Sequence, residues 1–214
     1  MRPKTVAIAC AVLIAGAGAW AWPPTSASHA GTAAVRPLHR QTHIGRAAVG
    51  GRIFLSPAQL AEARASGTLD RPVKSLLSVD RRLQYGDYVW NDAAVPAGPT
   101  WIRIDLGSQL ISIFQGGHEI GTAVIVYGGD NKQTPTGRLH ILAKAREHRS
   151  SLYDAEMPYT LRLTGDGVSI HGSNVRWGAA THGCIGVPIA FARRLFDAAR
   201  VGDDVVVIPA ARTS

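Results

Sequence analysis

The sequence predicts a mainly β sandwich with one helix late in the chain and a small helical segment ahead of the strands. Two patterns carry this expectation. From Trp101 onward, apolar and polar residues alternate with period two in several short runs separated by tight-turn signals. One amphipathic stretch then runs from Pro188 to Arg200, with Phe191, Leu195, Phe196 and Ala199 on one face and Gly202 past its end. Seven or so short strands with one late helix is the pattern of two packed sheets.

Taken in order, the first residues have the layout of a secretion signal. Arg2 and Lys4 precede an uncharged apolar run from Val6 to Trp22, and Pro23-Pro24 ends it. Ala19-Trp20-Ala21 and Ser28-His29-Ala30 are small-x-small cleavage candidates. The alternative is an uncleaved anchor that tethers the chain to a membrane. At 17 residues the run is slightly long for a signal core and slightly short for a comfortable span. Both readings put the remainder in a periplasmic or other extracytoplasmic space.

From Pro23 to about Gly51 the composition is Ala, Thr, Ser, His, Gly and Arg with little periodicity, which reads as a linker or stalk. Ser56-Pro57 is a helix start, continued by Leu60, Ala61 and Arg64, with Gly67 as its stop. A second helical stretch is expected over Lys74 to Leu83. Tyr85 to Trp90 reads as a turn into a short aromatic strand, and Pro96-Ala97-Gly98-Pro99 breaks the chain. Strands are then expected around Ile102 to Leu106, Leu110 to Phe114, Ile120 to Tyr127, Arg138 to Leu142, Thr160 to Thr164, Val168 to His171 and Val205 to Ile208. Asp166-Gly167 forms a tight hairpin.

The chain carries a formal charge of +8. Without Arg2 and Lys4 it keeps 21 basic and 15 acidic residues, a balance of +6. A basic exported protein favours anionic surroundings such as wall polymer or lipid head groups, although dispersed charge also serves solubility. Nucleic-acid binding calls for a clustered basic stripe with interleaved aromatics. The charges here are dispersed, with Arg81-Arg82 and Arg193-Arg194 the adjacent pairs, so no nucleic-acid partner is expected.

One stretch carries the chemistry. His171-Gly172-Ser173 and Thr181-His182-Gly183-Cys184 fall within fourteen residues, and Cys184 is the one cysteine outside the leader. A chain with a single thiol has no internal disulfide, so in an oxidising compartment the thiol serves something other than stapling. At its ordinary pKa of about 8.5 a thiol is a few per cent ionised at neutral pH, and an imidazole can take its proton. The Gly-rich approach offers backbone N–H groups for a developing oxyanion. Three readings remain open on spacing alone. One is an acyl-transfer thiol. Another is a zinc site using His171, His182 and Cys184, with water, His140 or His148 as fourth ligand. The third is a structural thiol.

The stretch from Met157-Pro158-Tyr159 through Gly167-Val168-Ser169-Ile170-His171-Gly172 to Thr181-His182-Gly183-Cys184-Ile185 resembles the L,D-transpeptidase (YkuD) catalytic domain. Thr134-Pro135-Thr136-Gly137-Arg138 resembles the family's upstream T-P-x-G element, and Ala192 to Phe196 its Ala-x-x-Leu-Phe helix. The resemblance implies a YkuD-like β sandwich with one helix after the His-Gly-Cys motif and a catalytic domain over 99–210. Ahead of it come a linker and small N-terminal segment over 31–98 and a signal or anchor over 1–30. It implies Cys184 as nucleophile, His171 as proton donor and acceptor, the Gly172 carbonyl orienting the ring, and His182 and Gly183 lining the thiol. Tyr159, Arg176, Thr181 and Gly186 become candidate substrate-binding positions.

The implied reaction is attack on a peptidoglycan stem tetrapeptide, with stem peptides as donor and acceptor and no metal or cofactor. An L,D-carboxypeptidase, an amidase that frees wall-linked protein, or a non-catalytic wall-binding module are the alternatives on this scaffold. Two departures stand out. Family members often carry Arg after His-Gly-Cys-Ile, where this chain has Gly186, and the His171–Cys184 spacing is short. Arg176 or Arg162 could supply the missing charge.

Overall fold

The computed structural model describes residues 51–65, 69, 71–129, 132–150 and 154–210. The expected leader, the expected stalk up to residue 50 and the expected helix stop at Gly67 lie outside the described residues.

The described residues build two β-sheets that share one main buried cluster. The large sheet holds β1 (Arg52–Phe54), β2 (Ser75–Leu77), β3 (Tyr88–Trp90), β4 (Thr100–Asp105), β5 (Leu110–Gln115), β6 (His118–Val124), β7 (Gly137–His140) and β12 (Asp204–Ile208). Its order is β1-β2-β6-β5-β4-β12-β7, with β3 also paired to β6. The small sheet has the order β11-β10-β9-β8, from β8 (Ala143–Ala145), β9 (Thr160–Arg162), β10 (Ser169–Ser173) and β11 (Ile185–Pro188). Helix α1 spans Pro57–Ala65 and α2 spans Ile189–Ala198.

The alternation legible in the sequence is what fills the core. Ile102, Ile104, Ile111, Ile113 and Ile120 of the large sheet meet Leu161, Ile170, Ile185 and Val187 of the small sheet in one buried cluster. Helix α2 adds Phe191, Ala192 and Leu195 to the same cluster, at the 3.6-residue spacing that defined it in the sequence. Phe191 is fully buried, and Tyr88 and Trp90 meet it edge-on with ring centroids 6.0 and 5.6 Å away.

Helix α1 starts as read. The Gln59 N–H donates to the Ser56 hydroxyl at 3.3 Å, and the Ser56 N–H donates back to the Gln59 side chain at 2.9 Å. This is a capping box with Gln at its third position. The expected second helix over Lys74 to Leu83 is absent. Ser75–Leu77 is strand β2 instead, because pairing with β1 and β6 buries Ser75 and Leu77 on one face. Tertiary pairing outweighs the local helical preference. Among the described residues the N-terminal segment holds helix α1 and, beside it, three strands that join the large sheet.

Buried Arg52 and Glu119 lock this segment down. Arg52 donates to the Glu119 carbonyl at 2.5 Å and to the Asn91 carbonyl, and the Glu119 carboxylate accepts the Leu77 N–H at 2.8 Å. Nearby, Leu69 and Val73 cover the stacked rings of Trp101 and Phe114, whose centroids are 4.3 Å apart.

Removing residues 1–98 should therefore destabilise what is left. It exposes the β6 edge and strips Leu69, Val73 and Leu77 from the core, at roughly 1.5–3 kcal/mol for each buried side chain. Urea unfolding of a chain starting at Pro99 should show a clearly lower midpoint, or aggregation. An unchanged midpoint would show that the 99–210 portion stands alone.

Candidate functional site

Cys184 and His171 are brought together by a strand pair. Strands β10 and β11 run parallel, with Ile170 opposite Ile185 and His171 opposite Gly186. Ile170 and Ile185 point into the core, so alternation sends His171 and the residue before Ile185 to the other face. That residue is Cys184. Neighbouring strands lie about 4.8 Å apart, so the thiol sits diagonally across from the imidazole. Both line one cavity of about 310 Å³. Ile185-Gly186-Val187 reads in the sequence as a Gly-rich lead into a helix. It is a strand, and that strand sets the register of the site.

Around the sulfur the backbone is closely held. The Cys184 S–H points to the Gly167 carbonyl at 4.0 Å, and the Ser169 N–H donates to the sulfur. Gly183 adopts φ +97°, a left-handed conformation that suits glycine. Its carbonyl accepts the Thr134 hydroxyl at 3.0 Å, and Thr134 Oγ1 accepts the Gly128 N–H at 2.9 Å. The Thr181 hydroxyl donates to the Cys184 carbonyl at 2.5 Å. In a planar trans peptide, N–H and C=O point opposite ways. A Gly183 carbonyl fixed on Thr134 therefore aims the Cys184 N–H to the other side of the turn.

The chain after β6 braces this turn. Val126 exchanges two backbone hydrogen bonds with Gly186, at 3.0 and 2.8 Å. Thr181 donates to the Tyr127 carbonyl at 3.0 Å, and Gly129 donates to the Thr181 carbonyl at 3.1 Å. Facing it, a two-stranded ribbon extends from β8 and β9. Tyr159 donates to Arg146, Met157 to His148 and Ser150 to Ala155. His148, Ser150, Ala155, Glu156 and Met157 of that ribbon line the cavity.

His171 is 8% exposed, and its Nδ1 lies 3.0 Å from the Gly172 carbonyl. A carbonyl can only accept, so Nδ1 carries the proton and Nε2 of the neutral ring is the free base. Burial lowers the His171 pKa below its ordinary range; the Gly172 bond pushes back and His148 adds a smaller lowering. Burial raises the Cys184 pKa, against the Ser169 N–H and the Lys132 charge, while Asp166 raises it further. Both shifts run toward the uncharged forms, thiol and imidazole. Such a pair transfers its proton as the sulfur attacks, instead of storing a preformed thiolate.

The other positions singled out in the sequence divide into two groups. Thr181 and exposed His182 line the cavity. Gly183 and Gly172 act through their carbonyls, as described. Tyr159 lies away from the cavity wall, edge-on to Phe196 with ring centroids 6.0 Å apart and beneath the Arg146 guanidinium. Arg176 is exposed and outside the cavity lining. Arg162 is spent on its own hairpin, donating to Thr164 and Gly165 carbonyls. Gly186 is buried, and a Cβ there would sit 2.7 Å from Val126 Cγ2 and 2.9 Å from Ser173 Cβ. It is a packing position of β11.

Among the described residues no group of three His, Cys, Asp or Glu is placed to hold a metal ion. His140 instead pairs with Asp204 at 2.9 Å. Sequence reasoning missed Ser169, Gly167, Lys132 and Asp166 around the sulfur. It found Thr134 inside the T-P-x-G element without a role.

A two-sheet scaffold presenting a Cys-His pair at a parallel strand edge defines the class, and the family follows. The L,D-transpeptidase catalytic domain model, YkuD, matches residues 99–208, and the chain belongs to that family. Among solved structures, an L,D-transpeptidase from Stackebrandtia nassauensis is similar at 21% identity and TM-score 0.49, over 56% of this chain and 60% of that one. One from Mycobacterium tuberculosis H37Rv is similar at 22% and TM-score 0.47, over 51% and 57%. One from Mycobacterium smegmatis is similar at 19% and TM-score 0.49, over 61% and 81%. The chain thus spans about 60% of the length of the first two. No curated protein sequence matches it.

Two outcomes follow from this geometry. Gly186→Arg should destabilise the fold by roughly 1–3 kcal/mol through overpacking, seen as a lower denaturation midpoint; an unchanged midpoint would show that the strand opens to accept a side chain. Alkylation of Cys184 by iodoacetamide should rise with pH through a midpoint above the ordinary thiol value of about 8.5. A rate plateau reaching down to pH ~5 would instead reveal a stable thiolate–imidazolium pair.

Proposed function

We propose that this chain is an exported, cysteine-dependent L,D-transpeptidase acting on peptidoglycan stem tetrapeptides. The observation that carries the reading is the placement of Cys184 and His171 on one face of the β10–β11 pair, opening into one cavity. The family match supplies the reaction class. Residues 99–210 carry the chemistry and residues 1–30 the export signal. Residues 31–98 contain both the stalk and the strands that complete the large sheet.

The steps use the groups already in place. Cys184 Sγ attacks the carbonyl carbon of the bond preceding the terminal D-Ala, and its proton passes to His171 Nε2. The oxyanion takes the Cys184 N–H, whose direction is set by the Thr134–Gly183 bond. The C–N bond then breaks, and His171 returns its proton to the leaving D-Ala amine. A thioester on Cys184 remains. A stem-peptide amine attacks it, loses a proton to His171 and forms the new peptide bond, and the thiol is regenerated. Water in place of the amine yields the shortened tripeptide.

Incubation with a purified disaccharide-tetrapeptide and mass analysis of the products tests this. A cross-linked dimer and free D-Ala are expected; tripeptide alone makes the enzyme a carboxypeptidase. His171→Ala should cut turnover by roughly 10²–10⁴-fold, the usual worth of a positioned base. A carbapenem should add once to the wild-type chain and not to Cys184→Ala. An adduct surviving in Cys184→Ala would remove the nucleophile from this account.

A further inference from the structure

Lys132 is the one lysine or arginine that lines the cavity with Cys184 among the described residues. Its stem crosses the nucleophile turn: a Cβ on Gly183 would lie 3.4 Å from Lys132 Cγ and 3.6 Å from its Cδ. Its ammonium reaches Asp166 on the β9–β10 hairpin at 3.3 Å. Both charges are felt at the sulfur, Lys132 easing its ionisation and Asp166 opposing it. The cavity's other carboxylate, Glu156, is engaged by Arg149. His148 and His182 complete its ionisable lining beside His171. Gly186, where the resemblance leads one to look for a cation, is filled by Val126 and Ser173.

We propose that Lys132 is a carboxylate-recognition residue, which holds the α-carboxylate of the donor's leaving residue beside the thiol. This rests on the function proposed above, whose donor ends in a free carboxylate one residue from the attacked carbonyl. A lysine carries three donors on a flexible stem. Its pair with Asp166 is partly solvated, with side-chain exposures of 38% and 63%, and such pairs are weak and readily exchanged. Asp166 holds the ammonium near the sulfur until the donor's carboxylate joins or replaces it. Reading the chain end this way confines attack to the penultimate bond. A cation on the loop before Thr134 then does the work that an Arg on β11 would do, without entering the packed strand.

Two measurements separate this proposal from the reading beneath it. The first needs no peptide: the ratio of Cys184 alkylation rates for anionic iodoacetate and neutral iodoacetamide. Lys132→Met should lower the ratio by about 3–10-fold, Asp166→Asn should raise it, and Lys132→Arg should keep it, as expected for one charge near the sulfur. The second compares a tetrapeptide donor with its C-terminal amide. Lys132→Met should raise KM for the acid by about 10-fold, the scale of one charge-assisted hydrogen bond, and leave the amide unchanged. A ratio unchanged by Lys132→Met overturns the proposal even if the tetrapeptide is turned over. A ratio that falls while no stem peptide reacts keeps the anion subsite and sinks the peptidoglycan reading.

Discussion

The site depends on the register of one parallel strand pair. With His171 opposite Gly186, the residue preceding β11 falls on the imidazole's face of the sheet. A slip of one residue would turn the Cys184 side chain into the core and Ile185 out of it. The core enforces the register, because Ile170, Ile185 and Val187 are all essentially buried in the shared cluster. Glycine enforces it as well. A Cβ at Gly172 would meet Pro158 Cγ at 3.1 Å and the Pro158 carbonyl at 3.2 Å, and one at Gly186 would meet Val126 and Ser173. His171 thus has a glycine beside it and another opposite it, at positions where packing is too close for an unstrained side chain.

The chain from Val126 to Thr134 turns this register into a working geometry. It leaves the large sheet at the end of β6, pairs with Gly186 and Thr181, and returns through Thr134, whose hydroxyl joins Gly128 to Gly183. One segment thereby links the sandwich to the nucleophile turn and fixes which way its peptide groups face. It also delivers Lys132 to the cavity. The electrostatics follow from burial. Desolvation lowers the His171 pKa and raises that of Cys184, so burial favours the uncharged form of each partner. An uncharged thiol is less open to oxidation than a thiolate, and a neighbouring imidazole can still take its proton when it is needed.

Much of this was legible in the sequence, for identifiable reasons. The period-two runs from Trp101 and the amphipathic face of α2 gave the sandwich, because burial on one face writes itself into alternation. His171 and Cys184 stood out because a single thiol beside histidine and glycine has few structural uses. Strand β2 was read as helix because three residues with one buried face carry too little pattern to outweigh local propensity. Strand β11 was hidden for a related reason: four residues buried on both faces, two of them Gly and Pro, show no alternation. Thr134, Ser169 and Lys132 act on Cys184 from 15 to 52 positions away in the chain. Contacts made across the fold at such separations leave no spacing to read. Tyr159 and Gly186 were read as candidate substrate-binding positions; in the structure Tyr159 packs on Phe196 and Gly186 against Val126 and Ser173.

The central claim is that Cys184 carries the acyl group between donor and acceptor. Rapid mixing with a stem tetrapeptide, acid quench and peptide mapping by mass would test it most directly. The account predicts a tripeptidyl group, the donor less its terminal D-Ala, on the fragment containing Cys184, in a linkage cleaved by neutral hydroxylamine. An acyl group on any other residue, or turnover with no acyl-enzyme when the acceptor is withheld, would contradict it.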